Sequence, residues 1–495
     1  MAKFDVIIVG SGFAGSIMAM ILRRLGQTVL ILEKGKHPRF AIGESSTPLA
    51  NLLLEEIAAK YDLPDLASFS KWGTWQAAHP EIACGLKRGF TFYKHEFARE
   101  VNFSDRTQQL LVAASPHDRI ADTHWYRPEF DAHLARKAVE LGAELIQETT
   151  FELKEEKDGW SVVGESPAGK FSVEAKFVID ASGPRGCLFR HFQFEEGRNG
   201  FVENFPATEA LFAHFRNVSR IDARDDGLPF PVDEAAVHHL FDGGWIWVLR
   251  FNNGITSAGA SLTGSLANDI RAHEGAVAWE RLLFKLPTLR AQFACAAAVT
   301  KFFYQKKVAF RAPRAAGKHW AMLPSAAGFV DPLFSTGFVL TLLGIFRLAT
   351  LFENDALDED ALANYENATV AELDQAGELV TAAIRRFKDF PKFAEVARIY
   401  FAAAIWTETL RRLGRQAPGF LLANDLEFSD MVRQLRNAGV DPRRRDFIER
   451  MDLAGLLDES RRNWHPAKAK DLFANAWKVL ATREEIKRML QRCGF

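Results

Sequence analysis

Three groups of residues in this sequence have types and spacings that could do chemistry. The first is Gly10-Ser11-Gly12-Phe13-Ala14-Gly15, a GxGxxG run whose glycines permit a tight turn and let a pyrophosphate approach the start of a helix. About 20 residues further on stands Glu33, where a carboxylate can accept hydrogen bonds from ribose hydroxyls. This is a dinucleotide fingerprint, and by itself it fits NAD and FAD equally. The second group is Asp331-Pro332-Leu333-Phe334-Ser335-Thr336-Gly337, followed by an apolar run from Phe338. A helix starting there would direct free amides at a negative charge, while Asp331 by residue type is equally an N-cap. The third is Lys87, set in the apolar, strand-like segment Cys84-Gly85-Leu86-Lys87-Arg88-Gly89-Phe90. A lysine is ordinarily a solvated surface charge, but burial lowers its pKa and exposes a compact amine to reaction. Trp245 and Trp247, two apart, share one face of a strand and fit either a pocket wall or an ordinary aromatic core.

The elements that must hold these residues follow from periodicity. Phe4 to Val9 is a continuous apolar run, as suits a parallel strand covered on both faces. Gly15 to Leu25 carries Ile17, Met18, Ile21, Leu22 and Leu25 at helical spacing, Gly26 stops it, and Thr28 to Leu32 returns as a second strand. A helix beginning at Arg127 and a strand from Phe177 to Asp180 extend this βαβ unit, and Arg127 also suits a helix-start ion pair. The expected fold class is α/β, with a Rossmann-like dinucleotide domain in the segments 1–74, 110–190 and 300–352. Segments 75–109 and 191–299, rich in aromatic and β-branched residues between turns, form an inserted, mainly β substrate domain. Residues 353–495, poor in glycine and rich in Ala, Leu, Glu and Arg, make a C-terminal helical region.

Composition narrows the partners. The 62 Lys and Arg nearly cancel the 63 Asp and Glu, so no field exists to concentrate nucleic acid or anionic membrane. The run Arg443-Arg444-Arg445 sits among Asp441, Asp446 and Glu449 and reads as a solvated face. Cys84, Cys187, Cys295 and Cys493 show no CxxC spacing, and His238-His239 point to opposite faces of a strand, so no metal is expected. The start Met1-Ala2-Lys3-Phe4-Asp5 enters a strand directly without a signal-peptide pattern, so the expected location is the cytoplasm. The most apolar stretch, Gly337 to Phe346, is shorter than the roughly 20 residues of a membrane span and reads as a buried helix. No GxSxG elbow or Walker loop is present.

Several segments together resemble the flavin-dependent halogenases, and within them the phenolic branch of phloroglucinol halogenases, inside the wider FAD-dependent aromatic hydroxylase-like superfamily. Asp180-Ala181-Ser182-Gly183 resembles the family's strand end near the adenosine half of FAD, and Asp331 to Gly337 the segment leading to the flavin ring. Glu33-Lys34, then His37-Pro38-Arg39-Phe40 and Gly43-Glu44-Ser45-Ser46-Thr47-Pro48, resemble the segment covering the flavin. Gly244-Trp245-Ile246-Trp247 resembles the start of the signature WxWxIP, with Val248-Leu249-Arg250 departing from it: arginine replaces proline. Cys84 to Phe92 resembles the segment with the family's essential lysine.

The resemblance implies FAD, used as FADH2, with a halide ion (chloride or bromide) as co-substrate. It implies cofactor contacts at Gly10, Gly12, Phe13, Ala14, Gly15, Glu33, Lys34, Arg39, Glu44, Ser45, Ser46, Arg127, Asp180, Ser182, Gly183, Asp331, Gly337 and Phe338. It implies a halide site at Ser335, Thr336 and Gly337, a pocket wall of Trp245, Trp247 and Phe334, and Lys87 as the catalytic amine that receives hypohalous acid through an internal passage. Tryptophan-type members carry a glutamate where Phe334 stands, so a phenol, activated by its own oxygen, is the expected ring. Arg250 is placed to reshape the pocket. The implied partners are a separate flavin reductase and an aromatic small molecule, free or tethered to a carrier protein. The competing readings are an FAD-dependent aromatic hydroxylase, which needs no halide, and a reductase on the same scaffold.

Overall fold

A computed structural model describes residues 2–115, 117–194, 204–221 and 230–438, with two further short strands, Leu457–Asp458 and Asn463–Trp464. The basic run Arg443 to Arg445, Cys493 and much of the region 439–495 lie outside the described residues. Two large sheets carry the site. The first contains the parallel strands Ala2–Val9, Val29–Leu32, Glu144–Ile146, Gly169–Asp180 and Trp320–Met322. Ala2–Val9 becomes fully apolar and buried toward its end, as a strand with neighbours on both sides and helices on both faces requires. Val9 is the register partner of Leu32 on one side and Asp180 on the other. The loops after these strands therefore emerge at one edge, which is where ligands sit in open parallel sheets. The helix Phe13–Arg24 follows the glycine run directly, two residues earlier than its periodicity suggests, because Phe13 and Ala14 are buried with its inner face.

The second sheet has ten strands among the described residues, with Thr208–Arg216, Thr256–Thr263, Gly244–Arg250, Ala236–Phe241, Gly89–Lys94 and Gln109–Ala113 side by side. Its two faces are distinct. Trp245, Trp247 and Leu249 face the first sheet, whereas Ile246 and Val248 enter a separate apolar cluster with Phe241 and Trp279. Two segments cross the partition read from the sequence: residues 110–113 and Phe303–Gln305, placed there with the dinucleotide domain, pair within the ten-stranded sheet. Such short strands carry no local mark of which sheet receives them. Cys84–Lys87 pairs with Asp122–Trp125 as a small two-stranded sheet between the large ones.

The helix Thr336–Glu353 runs behind the junction. Its 18 residues are long and apolar enough to cross a membrane, but 67% of it is buried inside the protein. Against it packs Glu359–Ile384, and against that helix Phe390–Arg412; both are long helices capped by carboxylates, Asp358 and Asp389, which accept from Ala361 N and Lys392 N.

His124, His214, His238 and His239 are buried within strands, and His95 is buried just past the end of Gly89–Lys94. Burial pushes His95 and His238 down to about 3 from the ordinary 6.5, and His124 and His239 well below it. A group whose folded pKa is depressed stabilises the fold above its unfolded value and loses that contribution as pH falls. The melting temperature should therefore be flat above about pH 7 and fall between about pH 6 and 4; a melting curve series by differential scanning fluorimetry that stayed level across that window would contradict this.

Candidate active site

The glycine run folds as its residue types require. Gly10 has φ +99°, and a Cβ there would lie 2.6 Å from Ala181 O; one on Gly15 would lie 1.9 Å from Gly10 O. Only glycine fits either place. A Cβ on Gly12 would instead point at Arg127 Nη2 and Arg39 Nη2, 3.4 and 3.6 Å away, so two guanidiniums face the helix start. Glu33 closes the next strand. Its Oε2 accepts from Ser11 N, Ser11 Oγ and Arg39 Nη2 at 2.9, 2.8 and 2.9 Å, and its Oε1 from Gly35 N at 2.8 Å. Burial pushes this carboxyl up, but Arg39 and the Gly35 and Ser11 donors outweigh it and bring it to about 2.

A cavity of ≈ 340 Å³ opens between the two sheets, within the size range of small-molecule and cofactor sites. Gly12, Phe13 and Ala14 line one end, and Trp247, Thr336, Gly337 and Phe338 the other. Arg39, Arg127, Ser182 and Gly183 also border it. Arg127 is both an ion pair and a cavity residue: it grips Asp131 with Nε and Nη2 at 2.7 and 2.8 Å and donates Nη1 to Gly43 O at 2.8 Å. A smaller extension of ≈ 70 Å³ continues past Glu44, Ser45, Trp245, Trp247, Ser335 and Thr336 to His238. Ser335 sits at φ +57° and the helix Thr336–Glu353 starts immediately after it, so the helix N-terminus meets both spaces.

Lys87 lines neither space and is fully buried at 0% exposure. Its Nζ donates to the Ser46 carbonyl and sits 3.9 Å above the Phe90 ring centre. Burial pulls the amine down from its ordinary pKa, with Asp122 opposing the shift. His238, which lines the extension, stacks on Trp245 at 4.9 Å and feels the charge of Lys87.

The sequence profile of the tryptophan halogenases matches residues 91–387, more than half the chain, and that of the NAD(P)-binding Rossmann-like domains matches residues 8–49. The monodechloroaminopyrrolnitrin halogenase PrnC of Pseudomonas fluorescens is 30% identical over 414 residues, covering 81% of this chain and 71% of that protein. The chain belongs to the flavin-dependent halogenases. The tetracycline 7-halogenase of Kitasatospora aureofaciens is 27% identical over 420 residues, covering 81% and 73%. The crystal structure of halogenase PltM in complex with phloroglucinol and FAD shares the fold, with a TM-score of 0.75, 23% identity and coverage of 98% and 99%.

This halogenase is thus an oxidoreductase whose cofactor is FAD. The cavity fits that cofactor in two respects: Gly10 and Gly15 form a turn that admits no Cβ, and the guanidiniums of Arg39 and Arg127 border it, whereas Glu33 carries four donors and is not among the residues that line it. Several residues singled out in the sequence stand elsewhere. Lys34 is exposed and does not border the cavity. Asp180 is spent on its own turn, accepting from Ser182 N, Ser182 Oγ and Leu188 N. Asp331 is saturated: Oδ2 accepts from Ser261 Oγ at 2.6 Å and Thr208 Oγ1 at 3.0 Å, and Oδ1 from Leu333 N at 3.1 Å and Trp245 Nε1 at 3.2 Å. It caps its turn and ties three strands together, leaving no lone pair facing the cavity. Burial pushes its carboxyl up to about 6 against these donors. Phe334 turns away from the cavity onto Tyr400, Phe393 and Phe401. Arg250 likewise leaves the pocket, because it lies on the strand face opposite Trp245 and Trp247; it binds Asp233 Oδ1 and the carbonyls of Val218 and Ser219.

Sequence reading missed Asp122, Asn51, His124 and the buried pair Glu44–His214, whose Oε1 and Nε2 are 2.7 Å apart. It also missed the trio Asp65, His79 and His133. Arg136 Nη2 donates to His133 Nδ1 at 2.9 Å, which leaves the ring proton on Nε2, 2.9 Å from Asp65 Oδ2. Asp65 thus sits between the two imidazoles, with His79 Nε2 2.9 Å from its Oδ1. Asp331→Asn should lower stability by about 1–3 kcal/mol, since the amide cannot accept at both ends, and should broaden the Trp245 environment; denaturant titration followed by tryptophan fluorescence reads both.

Proposed function

We propose that this halogenase transfers chlorine or bromine to an electron-rich phenolic ring, with Lys87 as the amine that receives the oxidised halogen. The observation that carries this reading is the fully buried Nζ of Lys87, set behind the tryptophan-lined extension of the FAD cavity. Bound as FADH2, the cofactor supplies the electrons with which oxygen turns a halide into hypohalous acid.

The protein's own residues do the rest. Gly10, Gly12, Phe13, Ala14 and Gly15 seat the pyrophosphate at the helix start, Arg39 and Arg127 balance its charge, and Glu33 meets the adenosine ribose. Ser182, Gly183, Glu44, Ser45, Ser46 and Phe338 close over the remaining length. Amides at Ser335, Thr336 and Gly337, where a long helix begins, hold the halide. Trp245 and Trp247 exclude water from the space between. Hypohalous acid passes them and His238 and is held at Lys87, by hydrogen bond from the ammonium or as a haloamine on the free amine.

A phenol fits because no carboxylate is offered at Phe334, so the ring must bring its own activation through the hydroxyl oxygen. The PltM complex, which holds phloroglucinol, supports this ring class. A separate flavin reductase supplies FADH2, since the sequence carries one dinucleotide fingerprint. The free thiols of Cys84, Cys187 and Cys295 support a reducing, cytoplasmic setting.

The test is mass spectrometry of a phenol panel incubated with protein, flavin reductase, NADH, FAD, oxygen and bromide. Brominated product is expected, and Lys87→Ala should lower its rate by at least roughly 100-fold. Hydroxylated product formed without any halide would favour the hydroxylase reading instead. Rapid NADH oxidation by the protein alone would remove the separate reductase.

A further inference from the structure

One buried carboxyl accompanies Lys87 and has no part in the function described so far. Lys87 and Asp122 are register partners on the antiparallel strands Cys84–Lys87 and Asp122–Trp125. Residues directly opposed in such a pair leave the sheet on the same side. Both are buried, at 0% and 1% exposure. Asp122 Oδ1 accepts from Asn51 Nδ2 at 2.6 Å, while Oδ2 has no hydrogen-bond partner. Glu33, Asp180 and Asp331 differ, since each has both oxygens filled.

The surroundings leave the pair largely to itself. His124 and His238, the ionisable neighbours on adjoining strands, are held neutral by burial. From the helix Phe390–Arg412, Glu408 and Arg412 also act on Asp122, but they pair with each other at 2.7 Å and their effects oppose. From the helix Pro48–Lys60 comes only the neutral Asn51. Burial drives the Lys87 amine down and the Asp122 carboxyl up, and each group resists the other's shift. Protons leave such a pair in steps that belong to both groups together.

We propose that Asp122 is a positioning residue for Lys87, its carboxyl setting the charge that the amine carries when hypohalous acid arrives. This rests on the reading of Lys87 as the receiving amine. A charged Asp122 lets Lys87 keep its third proton in a dry pocket. A neutral side chain at 122 leaves the ammonium without a counter-charge, and the pocket favours the free amine, whose lone pair can take the halogen from hypohalous acid: the nitrogen–halogen bond forms as the halogen–oxygen bond breaks, and the hydroxide leaves as water with a proton from the nitrogen. The unfilled Oδ2 leaves a place for a proton, which a carboxylate with both oxygens engaged by donors lacks.

The experiment is the pH dependence of single-turnover bromination with pre-reduced FAD, using the phenol brominated in the preceding test. Such a phenol titrates near 10, away from the window of interest. Asp122→Asn keeps the oxygen that Asn51 donates to and removes the charge. It should move the midpoint of the rate profile toward acid by about one pH unit or more. Asp122→Glu should restore the wild-type midpoint. Asn51→Ala removes the donor that favours the charged carboxylate and should move the midpoint in the same direction by a smaller amount, which keeps the test decisive if Asp122→Asn does not fold. Folding of each variant is checked by FAD binding and melting temperature. Unmoved midpoints in folded Asp122→Asn or Asn51→Ala, with Lys87→Ala inactive, overturn the role of Asp122 alone. Full bromination by Lys87→Ala overturns the reading beneath it.

Discussion

A charge withdrawn from water must be met by another charge or by hydrogen bonds, and the junction between the two sheets is organised around that cost. Glu33 is met by four donor contacts, Asp331 by four and Asp180 by three. Arg127 is met end-on by Asp131. These groups are frame. Their partners come from separate strands and loops, so satisfying them also fixes where those strands lie. Lys87 and Asp122, like Glu44 with its unpartnered Oε2, keep bonding capacity left over in a place water does not reach. Unspent capacity in a dry pocket is what reactive groups have and structural groups lack.

The frame also explains how a dinucleotide fold hosts chemistry on a halogen. The parallel sheet sends its loops out at one edge, and the ten-stranded sheet presents the face bearing Trp245, Trp247 and Leu249 toward that edge. Asp331 holds Trp245 by its indole N–H while capping the turn that precedes the helix Thr336–Glu353. The tryptophan wall of the cavity and the start of the helix are thereby set by the same carboxylate. Arg250 shows how a departure from the family signature is absorbed: on the opposite strand face it finds Asp233 and two carbonyls and leaves the tryptophans undisturbed.

Much of this was legible in the sequence where the signal is local. The glycine run, Glu33 and the strand before them lie within one short stretch, and turn chemistry and periodicity suffice to read them. Trp245 and Trp247 share a face because strands alternate. Resemblance to the family drew attention to Lys87, yet its burial depends on strands contributed from several parts of the chain. Asp331 illustrates the limit: a carboxylate before a helix has the same residue type whether it meets a ligand or its own protein, and only Ser261 and Thr208, brought from distant strands, decide the matter. Phe334, expected in the pocket wall, faces the other way because its neighbours Phe393, Tyr400 and Phe401 come from a later helix. Asp122 gave no signal at all, since its partner Asn51 is 71 positions away and the pairing with Lys87 exists only through strand register.

The segment Gly43 to Ser46 has a double attachment. Its early residues border the cavity, while the Ser46 backbone and hydroxyl bond to Thr123, Trp125 N donates to the Glu44 carbonyl, and the Lys87 amine donates to the Ser46 carbonyl. Cofactor seat and amine therefore share one stretch of main chain. Neither could be exchanged between relatives as an independent module: a graft of the flavin loop imports a new resting place for the amine, and a graft of the amine's strand imports a new anchor for the loop.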